Sequence, residues 1–439
     1  MRHKIILYIL FLTIFTILQT SYAQGTLSLT ETDAIETGLK NNKVLKSLSY
    51  KTVIAEAKYK ESETFSLPSL KLQASYTRMS EIKPFVIPTP FGNFSLNPSQ
   101  PDNYAVKLSV MQPLYTGNKI SSGIDAARFM NLSAGFEYQM EVQNTKLQIQ
   151  TAYWNLYKAG LMKNVLEEAL LNITSRVKDA ENLFSQGMLT KNDLLKIQVQ
   201  QSDIKYRLFE VNDAQAIANT YLGTLLGLEK DMNIVPVTEI NEIDSDSFNL
   251  DELVQYAYSE RNDLKAHQLK IFAAKEQKVL AQSGWYPQLF LSGNYMYAKP
   301  NQRYFPPENK FQDAWDISVV LSYDLWNWLA PAYVTEQAVA NVHLAEESFS
   351  AMKDAVRLEI IQHHLQIKLA NEKYQVAKLG LEQAKENLLL TEAKFREGMS
   401  MSSDLIDAES FLIQAKVNYT NSIIDYKLST ARLMKAAGK

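Results

Sequence analysis

The sequence predicts a mainly α-helical protein with a small β part, built as two tandem repeats that each carry long antiparallel coiled-coil helices and one β-hairpin. Three observations predict it: the chain matches itself at a fixed offset, two pairs of short segments alternate apolar and polar residues, and long proline-free stretches space apolar residues three and four apart.

The repeat is explicit. Phe184-Ser185-Gln186-Gly187-Met188 returns as Phe395-Arg396-Glu397-Gly398-Met399, an offset of 211 that also pairs Asp193-Leu194-Leu195 with Asp404-Leu405-Ile406 and Leu114-Tyr115 with Leu325-Trp326. Upstream the offset is 219, pairing Leu45-Lys46 with Leu264-Lys265, Pro68 with Pro287 and Tyr76 with Tyr295. A single insertion of 8 residues between Tyr76 and Gln112 accounts for the change. The first repeat is placed at 24–232 and the second at 233–439.

Ahead of the first repeat, Arg2, His3 and Lys4 form a basic start, Ile5 to Leu18 is an apolar stretch too short for a comfortable membrane span, and Ser21-Tyr22-Ala23 supplies small residues before Gln24. Residues 1–23 are therefore expected to be a signal peptide. What remains carries 43 basic against 48 acidic residues, a net charge of −5, with no nucleic-acid footprint. There is no cysteine for disulfides or lipid attachment, so packing or assembly must supply the stability. After residue 23 no run of about 20 apolar residues occurs, and no transmembrane helix is expected.

Each repeat opens with a short helix, near Glu31–Leu39 and Asp251–Ser259, and a medium one ending near Ser66 or Ser283. Pro68 and Pro287 stop the latter, because proline lacks an amide hydrogen and restricts the residue before it. Strands are expected at about 69–78 and 103–114, and at about 288–298 and 314–325. Leu70, Leu72, Ala74 and Tyr76 alternate with Lys71, Gln73, Ser75 and Thr77, while Tyr104, Val106, Leu108 and Val110 alternate with Lys107 and Ser109. The proline-rich stretch from Pro84 to Pro101 reads as a turn. Long helices follow at about 119–185 and 190–227, and at about 331–396 and 402–437. The first long helix of the second copy would be roughly 100 Å long at 1.5 Å per residue.

Four amphipathic strands cannot close a barrel, since the smallest membrane barrels use eight, and open edges are not tolerated in hydrocarbon. Other copies of the chain must complete them. Tyr104, Tyr115, Trp315, Trp326 and Trp328 suit a membrane interface, where an apolar ring enters lipid while its polar tip stays wet.

The order of short helix, strand hairpin, long helix and glycine tip, written twice, resembles the TolC family of outer-membrane efflux proteins. The resemblance implies a homotrimer with a twelve-stranded barrel in the outer membrane of a Gram-negative bacterium and an α-helical barrel in the periplasm. It implies an exit duct of a tripartite efflux or type I secretion system, docked to a periplasmic adaptor (a membrane fusion protein) and an inner-membrane pump of RND, ABC or MFS type. Gly187, Met188, Leu189, Gly398, Met399 and Met401 resemble the adaptor-contacting tips. Glycine there permits the left-handed backbone that ends a helix, and the methionines either offer an adaptable apolar contact or tuck between helices.

By the same resemblance, Asp404 and Asp407, three apart on one helix face, line the periplasmic aperture as acidic rings, with Asp193 as the first-copy counterpart. An acid in a first turn also stabilises a helix start, the expected main role of Asp193. The family's gate latch uses a Tyr and an Arg where this chain has Phe395 and Ser400, and Arg396 is the candidate substitute. Nothing marks an enzyme, a cofactor or a metal site: His363 and His364 are adjacent and point about 100° apart on a helix, and Gly117-Asn118-Lys119 lacks the rest of a phosphate loop. The alternative from another class is a periplasmic coiled-coil adaptor or structural envelope protein.

Overall fold

The computed structural model describes residues 26–80, 83–96, 100–229, 232–238, 248–397 and 399–439. The expected signal peptide and Gly398 lie outside them. In chain order the elements are β1 (Thr26–Leu29), α1 (Glu31–Asn41), α2 (Lys43–Thr64), β2 (Ser69–Arg78), β3 (Phe85–Thr89), β4 (Gly92–Leu96), β5 (Asp102–Tyr115), α3 (Lys119–Ser185), α4 (Lys191–Leu226), β6 (Asn233–Pro236), α5 (Leu250–Glu260), α6 (Asn262–Gln282), β7 (Gln288–Lys299), β8 (Gln312–Ser322), α7 (Ala330–Arg396) and α8 (Ser402–Ala437). No described helix is long and apolar enough to cross a membrane. Two compact units emerge, and both cut across the repeats: one gathers the described residues up to Ser47 with Gln139–Arg261 and Ala355–Lys439, the other Leu48–Tyr138 with Asn262–Asp354.

The second unit holds an antiparallel sheet in the order β2-β5-β7-β8. Its register puts Leu72 opposite Leu108, Tyr76 opposite Tyr104, Leu108 opposite Tyr295 and Tyr295 opposite Trp315. Because side chains alternate faces along a strand, one face is mainly apolar, with Lys299 and Asp313 near its hairpin end, and the other is mainly polar, interrupted by Met296, Phe290 and Val320. The apolar face is bare: Leu70, Leu72, Trp315 and Ile317 are each about 70% exposed (69%, 69%, 69% and 70%). A surface of that kind is unstable in water and suits lipid.

Two local departures from the sequence reading occur here. The proline-rich stretch read as a turn contains the hairpin β3–β4, with Pro88 opposite Asn93. Proline is tolerated there because a two-stranded ribbon leaves each strand an edge that needs no donor. The last strand ends at Ser322 instead of 325, so Leu325 and Trp326 lie beyond it. The chain then turns through Trp328 and Leu329, both left-handed (φ 56° and 61°). Their first-copy counterparts at offset 211, Gly117 and Asn118, are left-handed as well (φ 60° and 66°). The second copy thus keeps the backbone turn without the residues that make it easy.

Helices in this unit are tied by Ser133 Oγ donating to Ala266 O (3.0 Å), by the stacked His267 and Phe349 rings (5.9 Å), and by the ion pairs Lys270–Glu137 and Lys275–Glu346.

The first unit has its own apolar core. Ile149, Tyr153, Trp154, Leu156, Leu222, Leu226, Ile234 and Ile424 are buried together. The parallel pair β1–β6, with Leu27 opposite Ile234, is added to it, and Tyr153 donates its hydroxyl to Leu29 O (3.0 Å). A further symmetry appears where the short and medium helices meet. Asn42 donates to Leu225 O (3.4 Å) in copy one, and Arg261 donates to Ala436 O (2.8 Å) in copy two. Each closes the last turn of its return helix, whose carbonyls have no intrahelical partner. Arg261 also binds Glu359 (2.7 Å). The 3-4 stripe of α7 is buried at Val356, Ile360, Ile367, Ala370, Tyr374 and Ala384, the seam that coiled-coil spacing requires.

Candidate functional site

The first tip is a helix stop followed at once by a helix start. α3 ends with Gly187 left-handed (φ 74°), the Gly187 amide donating to Phe184 O (3.0 Å) and the Met188 amide to Leu183 O (2.9 Å). A side chain at Gly187 would be strained in that conformation. Thr190 then caps α4: its Oγ1 accepts from the Asp193 amide (3.2 Å) and donates to Asp193 Oδ2 (2.6 Å). Leu189 is half-buried against Ile173, Val177, Ala180, Leu194 and Ile197, whereas Met188 is 71% exposed.

The second tip repeats the stop bond, Met399 donating to Lys394 O (2.8 Å), but not the cap. Met401 stands at the cap position and offers no side-chain oxygen. Asp404 Oδ2 instead accepts from the Met401 amide and the Ser400 hydroxyl, each at 3.0 Å. Met399 and Met401 are 73% and 74% exposed, so neither is tucked between helices. Asp404 and Asp407 are both exposed, beside the buried Leu405 and Ala408 on the same helix. Asp404 is engaged in its own cap, as Asp193 is, while Asp407 has no hydrogen-bond or ion-pair partner among the described residues.

Arg396 donates through Nε to Glu392 O of its own helix (3.4 Å) and meets no carboxylate among the described residues. With Phe395, Leu183, Leu189, Leu405 and Ile406 it borders a cleft of ≈ 470 Å³. The charged contact at this cleft comes from a residue that the sequence reading missed. Arg176 on α3 reaches Glu392 Oε1 (2.8 Å) on α7 and Glu409 Oε1 (2.7 Å) on α8. Burial pushes the Glu409 carboxyl above its usual range; Arg176 offsets part of that, and Glu392 adds to it.

The signal for this cluster lay in a difference between the repeats. Glu181 and Gln198 of copy one correspond to Glu392 and Glu409 of copy two. In copy one Gln198 donates to Glu181 (3.3 Å) and no cation is needed. Replacing the Gln by Glu409 sets two carboxylates side by side, and Arg176 from the other repeat neutralises them.

The aromatic residues form two groups. Tyr104 and Trp315 lie at the hairpin end of the sheet, where Tyr76 and Tyr104 rings pack at 4.9 Å. Tyr115, Trp326 and Trp328 lie at the helical end, where the two indoles meet edge to face at 5.6 Å.

A sequence model described as outer membrane efflux protein matches this chain over residues 34–228 and 253–439. The chain belongs to the outer membrane efflux protein family. Among its relatives is the outer membrane protein TolC of Vibrio cholerae, 23% identical over 344 residues that cover 78% of each chain. The fold is that of solved outer-membrane channels. It matches VceC of Vibrio cholerae with a TM-score of 0.77, at 18% identity over 93% of this chain and 96% of that one. It matches CmeC of Campylobacter jejuni with a TM-score of 0.78, at 16% identity over 93% and 85%.

The protein is therefore an efflux channel of the Gram-negative outer membrane, and the adaptor or structural alternative is not favoured.

Proposed function

We propose that three copies of this outer membrane efflux protein close a twelve-stranded barrel and a helical tube, through which cargo leaves passively after a periplasmic adaptor and an inner-membrane pump deliver it. The observation that carries this reading is the four-stranded sheet with two unpaired edges, β2 and β8, and one exposed apolar face. Lipid offers the edge amides and carbonyls no partner, so each edge must meet a strand of another copy.

At the helical tips, the exposed Met188, Met399 and Met401 are adaptable apolar contacts for the adaptor, with Leu189 fixing the first tip and Gly187 turning the chain there. Asp404 and Asp407 would form two stacked rings of three carboxylates at the aperture, drawing in cations and repelling anions. Asp193 serves its helix cap. Phe395 and Arg396 form the gate latch at the cleft beside Arg176.

The chain has no cysteine, so engineered pairs are unique. Ser75→Cys on β2 is combined in turn with a cysteine replacing Ala314, Ser318, Val320 or Ser322 on β8, and membranes are oxidised. Covalent dimers and trimers at one register are expected. No interchain product across the set, in protein that only detergent extracts, would overturn closure by neighbouring copies.

A further inference from the structure

The polar face of the sheet carries an unbalanced positive charge. Register places Ser69, Lys71, Gln73, Ser75 and Thr77 on that face, together with Asn103, Lys107 and Ser109 of β5, Asn294 of β7 and Asp316 of β8. Asp316 is its one carboxylate on the described strands, and it is already held by Arg303 (2.5 Å) and by Asn294 Nδ2 (2.9 Å). Lys71 and Lys107 are exposed and form no close hydrogen bond or ion pair among the described residues; Lys107 attracts Asp316 only at longer range, and Arg303 already holds that carboxylate. They sit on adjacent strands as diagonal neighbours, because Lys71 faces Ser109 and Gln73 faces Lys107, about 7–8 Å apart by sheet geometry.

We propose that Lys71 and Lys107 form an anion-binding belt in the bore of the barrel. The inference rests on the closed-trimer reading, in which the polar face lines the lumen. Three copies then bring six lysines into one band two residues deep, with no carboxylate on the described strands beside them other than Asp316, which Arg303 holds. Charges lining a passage walled by low dielectric focus the field and concentrate counter-ions. The ligands that fit are compounds bearing several phosphate, sulfate or carboxylate groups, held by ammonium groups as point charges. The duct would then have opposite preferences at its two ends, acidic at the helical aperture and basic in the barrel.

The test uses inorganic tripolyphosphate with the full-length trimer in detergent. Titration calorimetry is expected to show binding that weakens at least about tenfold in Lys71→Gln/Lys107→Gln, the loss of two charge-assisted contacts per copy. Binding should be unchanged in Asp404→Ala/Asp407→Ala. In planar bilayers the same Gln variant should shift the reversal potential in a KCl gradient toward cation preference. Equal tripolyphosphate affinity in wild type and the Gln variant, with a normal trimer, overturns the belt alone. A folded protein that neither forms trimers nor conducts overturns the duct reading, and the belt with it.

Discussion

Arg176 Nε lies 2.7 Å from Glu409 Oε1, and the pair joins a helix of the first repeat to one of the second. Glu409 is only 13% exposed, so the charge it carries is costly. A carboxyl whose folded pKa is raised holds its proton longer in the folded state than in the unfolded one, so its contribution to stability falls as pH climbs above the ordinary value of 4.5. Thermal unfolding of wild type and Glu409→Gln should therefore nearly agree below 4.5 and diverge above it, with wild type losing ground as pH rises. A gap that instead grows in favour of wild type would show that the ion pair outweighs burial.

Removing Arg176 leaves Glu392 and Glu409 facing one another without a cation. Arg176→Ala should cost about 2 kcal/mol, measured by denaturant unfolding in detergent. Adding Glu409→Gln should recover most of it, because the new side-chain amide can donate to Glu392 as Gln198 does to Glu181 in the first copy. A double variant no better than Arg176→Ala would contradict the repeat argument.

The equivalent junction residues Asn42 and Arg261 should differ in worth. Asn42→Ala loses a long 3.4 Å bond to Leu225 O and the Oδ1 that accepts from the Val44 and Leu45 amides (2.8 and 3.2 Å) at the start of α2, and should cost about 2 kcal/mol. Arg261→Ala strands Ala436 O and leaves Glu359 only its longer contact to Lys435 (3.6 Å), and should cost about 3 kcal/mol. The comparison is read from the unfolding midpoints of the two variants.

The two tips should differ in firmness for a chemical reason. Thr190 gives α4 a hydroxyl cap, whereas Met401 gives α8 none. Met401→Thr should stabilise the start of α8 by about 1 kcal/mol, seen as slower hydrogen exchange in its first turn. If docking needs Met401 exposed, adaptor crosslinking should weaken in the same variant.

The fold class was legible because its signals are periodic and long. The 211 offset, the alternation around Leu70–Tyr76 and the seam through Val356 and Ile360 each involve many residues. What escaped was short or non-local. β1 and β6 are four residues each and pair across some two hundred positions, so alternation had nothing to act on. Pro88 hid the β3–β4 hairpin, since proline inside a strand argues against one. At the tips, Met188 and Met399 were visible from the repeat, but their exposure depends on neighbouring helices. The Arg176 cluster needed the contact itself, although the exchange of Gln198 for Glu409 between copies was visible in the letters.

The two bare edges, β2 and β8, have a kinetic consequence. A newly exported chain carries an apolar sheet face and two rows of unsatisfied backbone groups, features that invite aggregation. Its escape from that condition requires encounters with two further copies, so the yield of channels should depend steeply on how fast chains are supplied. Under slow supply, solitary chains would wait in the periplasm as targets for chaperones and proteases. Cells expressing this protein at low level should therefore show a lag in channel appearance that shortens disproportionately as synthesis rises.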